Sequence, residues 1–332
     1  MSGITSKSLR VACGQLCSSS NLTNNARIIK KLIHKAIAQD VEVLFLPEAS
    51  DYISRDAKHS MSLANSVHNE FVSIIQNELK ALHSSDKKGI YVSIGIHEPS
   101  NSKSNTSTDL KKVQNNQIWI DNKGEILHRY QKLHLFDINI TNGPILKESN
   151  SVEPGNKILD PFVVDDSKNK DFKVGYAICY DIRFPELCLR LRKLGANIIT
   201  YPSAFTTKTG EVHWQTLGKA RAIDSQCFVV MAAQCGEHDV YADLTEEQKS
   251  KENELNNGKK RISYGNSVIF DPWGKLLAEC KTYSDDLSED LDSEGDYYEL
   301  CVADLDLDTV NKVRTDMPLL EHRRPDVFGY EI

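Results

Sequence analysis

In Val174-Gly-Tyr-Ala-Ile-Cys-Tyr-Asp-Ile-Arg-Phe-Pro-Glu186 a run of small and apolar residues ends abruptly in a cysteine followed by polar side chains. Residues 174–178 have the length and bounding of a buried strand. Pro185 suits the first turn of a helix, which continues as Glu-Leu-Cys-Leu-Arg-Leu-Arg-Lys-Leu and stops at Gly195. Cys179 falls at the bend between them. A thiol at the carboxyl end of a strand and close to a helix start is expected to ionise readily, because exposed N–H groups and the helix dipole favour the anion. That position suits a nucleophile. The local sequence equally allows a plain buried thiol, the usual state of a free cysteine.

Composition narrows the function classes. The chain has 332 residues, 26% of them charged, and a formal net charge of -7. Without a basic stripe it lacks the footprint that phosphate backbones require, so no nucleic-acid partner is expected. No apolar run approaches the ~20 residues needed to cross a bilayer, so no membrane partner is expected either. Met-Ser-Gly-Ile-Thr-Ser-Lys-Ser runs directly into a strand-like segment at 9–16, which leaves no room for a signal peptide and points to a cytoplasmic location. Cys13, Cys17, Cys179, Cys188, Cys227, Cys235, Cys280 and Cys301 contain no Cys-x-x-Cys pair, and they read as reduced thiols. The ten histidines show no metal-ligand spacing, so no metal and no cofactor are expected.

Upstream and downstream of the elbow, short β-like runs alternate with amphipathic stretches. A helix over about 24–39, capped by Thr23 or Asn21, carries Ile28, Ile29, Leu32, Ile33, Ala36 and Ile37 at three- and four-residue steps. A buried strand from 41 ends at Pro47 and delivers Glu48 to the sheet edge where open α/β sheets bind ligands. A helix over 69–82 and a strand over 90–96 follow. Residues 98–112, almost without apolar side chains, read as a surface insertion. Strands at 115–120 and 125–130 are joined by the turn Asp121-Asn-Lys-Gly124, and Lys132 closes the second among aromatic and aliphatic neighbours. Glu148 lies in a turn-rich stretch. Further strands are expected at 196–201, 227–233, 263–271, 275–280 and 298–305, and a helix near 307–314. The acidic segment 284–296 reads as disordered or solvated, so its deletion is expected to change activity little. The tail, residues 321–329, is long enough to lie over another surface.

Taken together, these residues resemble the carbon–nitrogen hydrolases of the nitrilase superfamily along essentially the whole chain. Phe45-Leu-Pro-Glu48, Tyr130-Gln-Lys-Leu-His-Leu-Phe136 and Ala177-Ile-Cys-Tyr-Asp-Ile-Arg-Phe-Pro-Glu186 match, in order and spacing, the segments carrying that family's Glu, Lys and Cys. Leu135-Phe-Asp137, Lys147-Glu-Ser149, Tyr201-Pro-Ser-Ala-Phe205, Thr209-Gly-x-x-His-Trp214, Arg221-Ala-Ile-Asp224 and Asp271-Pro-Trp-Gly274 resemble its Nit branch. Ala232-Ala-Gln-Cys-Gly-Glu-His238, Tyr264-Gly265 and His322-Arg-Arg-Pro-Asp-Val-Phe-Gly329 are most similar to the deaminated-glutathione amidases.

The resemblance implies an α/β fold, a single-domain α-β-β-α sandwich over residues 1–332 with insertions near 98–112 and 284–296, and a homodimer packed through helices. It also implies Cys179 as nucleophile, Lys132 at the oxyanion, Glu48 as acid–base and Glu148 orienting Lys132. Arg183 is expected to bind a substrate carboxylate in fork geometry, with a structural salt bridge as the alternative. Phe205 and Thr209 fall at substrate-loop positions, and Gln234–His238 is the expected contact for a cysteinylglycine leaving group. The implied substrate is a small-molecule amide, deaminated glutathione. An omega-amidase acting on 2-oxoglutaramate and a non-catalytic or redox-responsive scaffold of the same fold remain alternatives.

Overall fold

Alternate residues of the strand Ser8–Leu16 serve different layers: Ala12 and Leu16 join one core, Leu9, Val11 and Cys13 another. The same division runs through the sheet. The computed structural model describes residues 8–85, 89–103, 111–139, 145–165, 169–255, 260–284 and 290–330. Within them, one sheet has the strand order Tyr298–Asp306, Ser8–Leu16, Val43–Phe45, Tyr91–Lys103, Lys111–Ile120 and Ile126–Gln131, with Val152–Glu153 also pairing to Lys111–Ile120. A second sheet runs Leu276–Glu279, Val268–Phe270, Phe228–Met231, Ile198–Thr200, Lys173–Tyr176 and Phe162–Val163. Val11, Phe45 and Trp119 from the first sheet meet Val174, Tyr176 and Phe228 from the second in the central core.

Each outer face is covered by helices. The helix Leu22–Ile37 sends Ile28, Ile29, Leu32, Ile33 and Ala36 onto the first sheet, together with Phe71, Ile75 and Leu79. Leu187 and Leu191 of Pro185–Lys193 and Trp214 and Ala222 of Thr207–Ser225 cover the second. The architecture is therefore the expected α-β-β-α sandwich. Of the two possible caps for the first helix it is Asn21 that acts, its side chain accepting from the Asn24 N–H at 2.9 Å. The helix expected over 69–82 begins as a π-turn, His68–Val72, before Ser73–Ser84. A short helix at Ala57–Ala64, capped by Asp56, has too weak a pattern to be read from sequence. Among the described residues no helix is long and apolar enough to cross a membrane.

The two polar insertions are built into the structure. Residues 98–103 and 111–112 take the form of a lengthened hairpin, with Pro99 opposite Val113 and Lys103 opposite Lys111; residues 104–110 lie outside the described residues. Main-chain ladder bonds make this strand possible where side chains offer little to bury. In the acidic segment, residues 285–289 lie outside the described residues, but the remainder is not simply solvated. Lys31 bonds Asp292 at 2.6 Å and Asp296 at 2.7 Å, and Arg27 bonds Asp296 at 2.6 Å. The like charges are held because two cations on the first helix face them. Deleting residues 284–296 is accordingly expected to lower the midpoint of thermal unfolding while leaving turnover unchanged; an unchanged midpoint would show that the network contributes nothing. The tail lies along Leu189 and Lys193 of the helix Pro185–Lys193 and leaves Val327, Phe328 and Tyr330 exposed.

Candidate active site

Glu48 follows the strand Val43–Phe45 in a turn that needs a glycine beside it. A Cβ on Gly95 of the adjacent strand would come within 2.5 Å of the Pro47 carbonyl oxygen and 2.7 Å of the Glu48 Cα. The close approach lets the Gly95 N–H donate to Pro47 and its carbonyl accept from Ser50, while Ala49 turns the chain with φ at +55°. Glu48 is buried. Its Oε1 accepts from Lys132 Nζ at 2.9 Å and from Asn115 Nδ2 at 2.8 Å, and its Oε2 from the Ala204 N–H at 3.0 Å.

Lys132 comes just after the strand Ile126–Gln131. Its N–H donates to Asn115 and its carbonyl accepts from Gly155, which fixes the backbone at both sides. The buried ammonium also donates to both oxygens of Glu148 at 3.0 Å. Glu148 opens the 3-10 turn Glu148–Asn150 and accepts from the Phe136 N–H at 2.6 Å. One cation thus sits between two carboxylates.

The third expected residue arrives from the second sheet. After Lys173–Tyr176 the chain reverses at Cys179, whose φ of +47° is rare for a residue with a side chain and marks strain at a sharp elbow. Its N–H donates to Pro202 at 3.0 Å. A 3-10 turn, Cys179–Arg183, separates it from the helix Pro185–Lys193. Asp181 secures the elbow from behind: fully buried, it accepts from the Ile178 N–H at 2.9 Å, the Tyr130 hydroxyl at 2.7 Å and the His134 N–H at 3.0 Å.

Electrostatics correct one expectation. Burial and the neighbouring Glu48 push the Cys179 thiol above its usual range, more than Lys132 pulls it down. The readily ionised thiol expected at a helix start does not follow here, because burial and the Glu48 carboxylate outweigh Lys132, and a five-residue 3-10 turn supplies little dipole against them. Burial alone would raise Glu48, but Lys132 and hydrogen bonds from Lys132, Cys179 and Asn115 hold it below the ordinary carboxylate value. For Lys132 burial acts downward, yet Glu148 and Glu48 together carry it well above the ordinary lysine value. The resting site is therefore a thiol beside a carboxylate–ammonium pair.

Glu48, Lys132, Glu148, Cys179, Arg183, Phe205 and Thr209 all line one cavity of about 360 Å³. Arg183 lies 5.8 Å from the ring centres of both Tyr180 and Phe205, with Nη2 3.3 Å from His213 Nδ1. The structural salt bridge does not occur: Arg183 forms no ion pair among the described residues. Phe205 packs on Trp214, and Thr209 bonds Thr206, the cap of the helix Thr207–Ser225.

Gln234–His238, expected at the leaving group, does not line the cavity. Gln234 is wholly buried and donates to the carbonyls of Glu48 at 3.1 Å and Ala49 at 3.0 Å, supporting the glutamate from behind. His238 is bound by the Ser18 carbonyl and Ser263 hydroxyl, each at 2.8 Å, and Glu237 pairs outward with Lys260. Asn115, Asp181 and His97 escaped sequence reading. His97 lines the cavity, held by the buried Asp51 at 3.0 Å and stacked on Tyr52; its place directly after the strand expected over 90–96 is the available signal.

Residues 10–315 match the Carbon-nitrogen hydrolase family profile, and the chain belongs to that family. It is 42% identical over 318 residues to a Schizosaccharomyces pombe protein named "Probable hydrolase nit2", covering 96% of this chain and 98% of the relative. To the Mus musculus "Deaminated glutathione amidase" it is 35% identical over 320 residues, covering 96% of this chain and 84% of the relative. The crystal structure of Saccharomyces cerevisiae Nit3, a member of branch 10 of the nitrilase superfamily, superposes with a TM-score of 0.67 at 26% identity, covering 96% of this chain and 97% of that one. The protein is a Nit-branch amidase of the nitrilase superfamily.

Proposed function

We propose that the protein hydrolyses deaminated glutathione to 2-oxoglutarate and cysteinylglycine through a thioester on Cys179, in metabolite repair. The convergence of Cys179, Glu48 and Lys132 in one cavity with Arg183, a cation without a carboxylate partner among the described residues, carries this reading. It also weighs against a non-catalytic scaffold, which would have no use for a buried ammonium between two glutamates.

Glu48 takes the thiol proton as sulfur attacks the amide carbonyl. The Lys132 ammonium stabilises the oxyanion, aided by the Tyr180 N–H, which lies at the opening of a 3-10 turn where amides lack an intrahelical acceptor. Collapse of the tetrahedral intermediate breaks the C–N bond as Glu48 returns its proton to the leaving amine. Glu48 then removes a proton from water attacking the thioester, and 2-oxoglutarate leaves with the thiol restored. Glu148 orients Lys132 throughout.

Arg183 engages the carboxylate of the 2-oxo acid in this scheme, and Phe205 and Thr209 border that end of the site. Arg183→Lys keeps the charge but loses the planar fork, so kcat/KM for both deaminated glutathione and 2-oxoglutaramate is expected to fall roughly 10–100-fold. A side-by-side turnover assay on the two amides tests the substrate assignment: wild type should prefer deaminated glutathione, and a preference for 2-oxoglutaramate would make the protein an omega-amidase. The reading includes a cytoplasmic homodimer, the dimer supported by the exposed apolar side chains of the tail.

A further inference from the structure

A second guanidinium lines the cavity of Cys179 and Arg183, from a different wall. Arg261 directly precedes the strand Ile262–Tyr264, which pairs with Cys235–Glu237 and lies beside the Phe205–Thr206 wall through the Tyr264 N–H bond to Phe205 and the pairing of Ser263 with Thr206. Its backbone is tied by the His238 N–H, which donates to the Arg261 carbonyl at 2.9 Å. On the side chain, Nη1 donates to the Ser54 carbonyl at 2.6 Å. Among the described residues that is its one hydrogen-bond partner, and it has no ion pair. Asp56, also on the cavity wall, attracts Arg261 without forming an ion pair with it, and accepts from the His59 N–H as the cap of Ala57–Ala64.

A guanidinium carries five N–H donors in a rigid fork, and most of those on the exposed Arg261 side chain have no acceptor among the described residues. A carboxylate is the anion suited to such a fork. Arg183 already serves the acyl half in the proposed scheme, so a second cation on another wall is free to meet charge on the amine half. We infer that Arg261 binds the terminal carboxylate of a peptide-like leaving group, making the site selective for amides whose amine half ends in an acid. The inference rests on the proposed substrate, and it moves leaving-group recognition from Gln234–His238 to the residue that enters the partner strand of the same hairpin.

Three 2-oxoglutaryl amides test it, with cysteinylglycine, cysteinylglycinamide or ammonia as the leaving group. Wild type should favour the free acid over its capped amide about 10–100-fold in kcat/KM, mainly through KM. Arg261→Gln should abolish that preference and leave the other two substrates within about twofold, and Arg261→Lys should restore part of it. A wild type that hydrolyses the free acid and the capped amide equally well overturns the inference while leaving the proposed substrate intact. So does an Arg261→Gln variant that loses all three activities in equal proportion, which would assign Arg261 to holding the Ser54 loop. Turnover of the ammonia amide alone would instead remove the proposed substrate, and this inference with it.

Discussion

Cys179→Ala is expected to lower turnover of every amide substrate by about four orders of magnitude or more, with the midpoint of thermal unfolding nearly unchanged. The first half follows from covalent catalysis: without sulfur there is no thioester, and the remaining groups can only assist water. The second half follows from how the elbow is held. Its conformation is set by the Cys179 N–H bond to Pro202 and by the four donors around Asp181, including His134 Nδ1 at 2.7 Å, none of which involves the thiol. Alanine keeps the Cβ and the same backbone strain, and the missing sulfur opens onto a cavity, so no sealed void forms. Cys179→Ser should be almost as inactive, because a glutamate base held below its ordinary pKa is poorly matched to a hydroxyl. Mass spectrometry of acid-quenched turnover should find an acyl adduct on wild type and none on the alanine variant. Retained turnover in that variant would sink the thioester mechanism.

Much of this arrangement is legible in the sequence because it depends on local patterns. Strand ends are readable, and Glu48, Lys132 and Cys179 each follow a short strand. What depends on distant partners is not readable. The Cys179 thiol was expected to ionise because a nearby helix start is visible in sequence, whereas the opposing Glu48 is close only after two sheets face each other. The acidic residues 290–296 carry no sign that Arg27 and Lys31 of the first helix lie opposite them. Gln234–His238 points to the leaving group in sequence because it follows a strand and resembles the deaminated-glutathione amidases. A distinctive segment can instead serve the site from behind, as Gln234 does with the Glu48 carbonyl. Arg261 ends a charged stretch of no evident pattern, and only its pairing to the other side of that hairpin carries it to the cavity.

Lys132→Met is expected to produce the largest combined loss, in stability as well as in rate. Removing the ammonium deletes the main oxyanion donor, which alone costs roughly 100- to 1000-fold. It also leaves Glu48 and Glu148 near each other without their shared ion-pair partner. Breaking a buried pair by deleting one partner typically costs about 3–5 kcal/mol. The pH dependence distinguishes this origin from a packing defect. In wild type the folded-state pKa of Glu48 is depressed, so its contribution to stability is present above the ordinary carboxylate value and is lost as pH falls through the folded value. In the variant burial acts without Lys132 to oppose it, and the Glu48 pKa moves above the unfolded value. The carboxyl then stabilises the fold only while protonated, and stability is lost as pH rises through the carboxylate range towards neutrality. The difference in unfolding free energy between wild type and variant should therefore be widest near pH 7.5 and shrink by pH 5. Protonation of Glu48 near neutrality would also remove the general base, so residual turnover should rise with pH in the variant over the range where wild type is flat. An equal stability gap at both pH values would mean that the methionine disturbs packing alone, and that Lys132 does not set the charge state of Glu48.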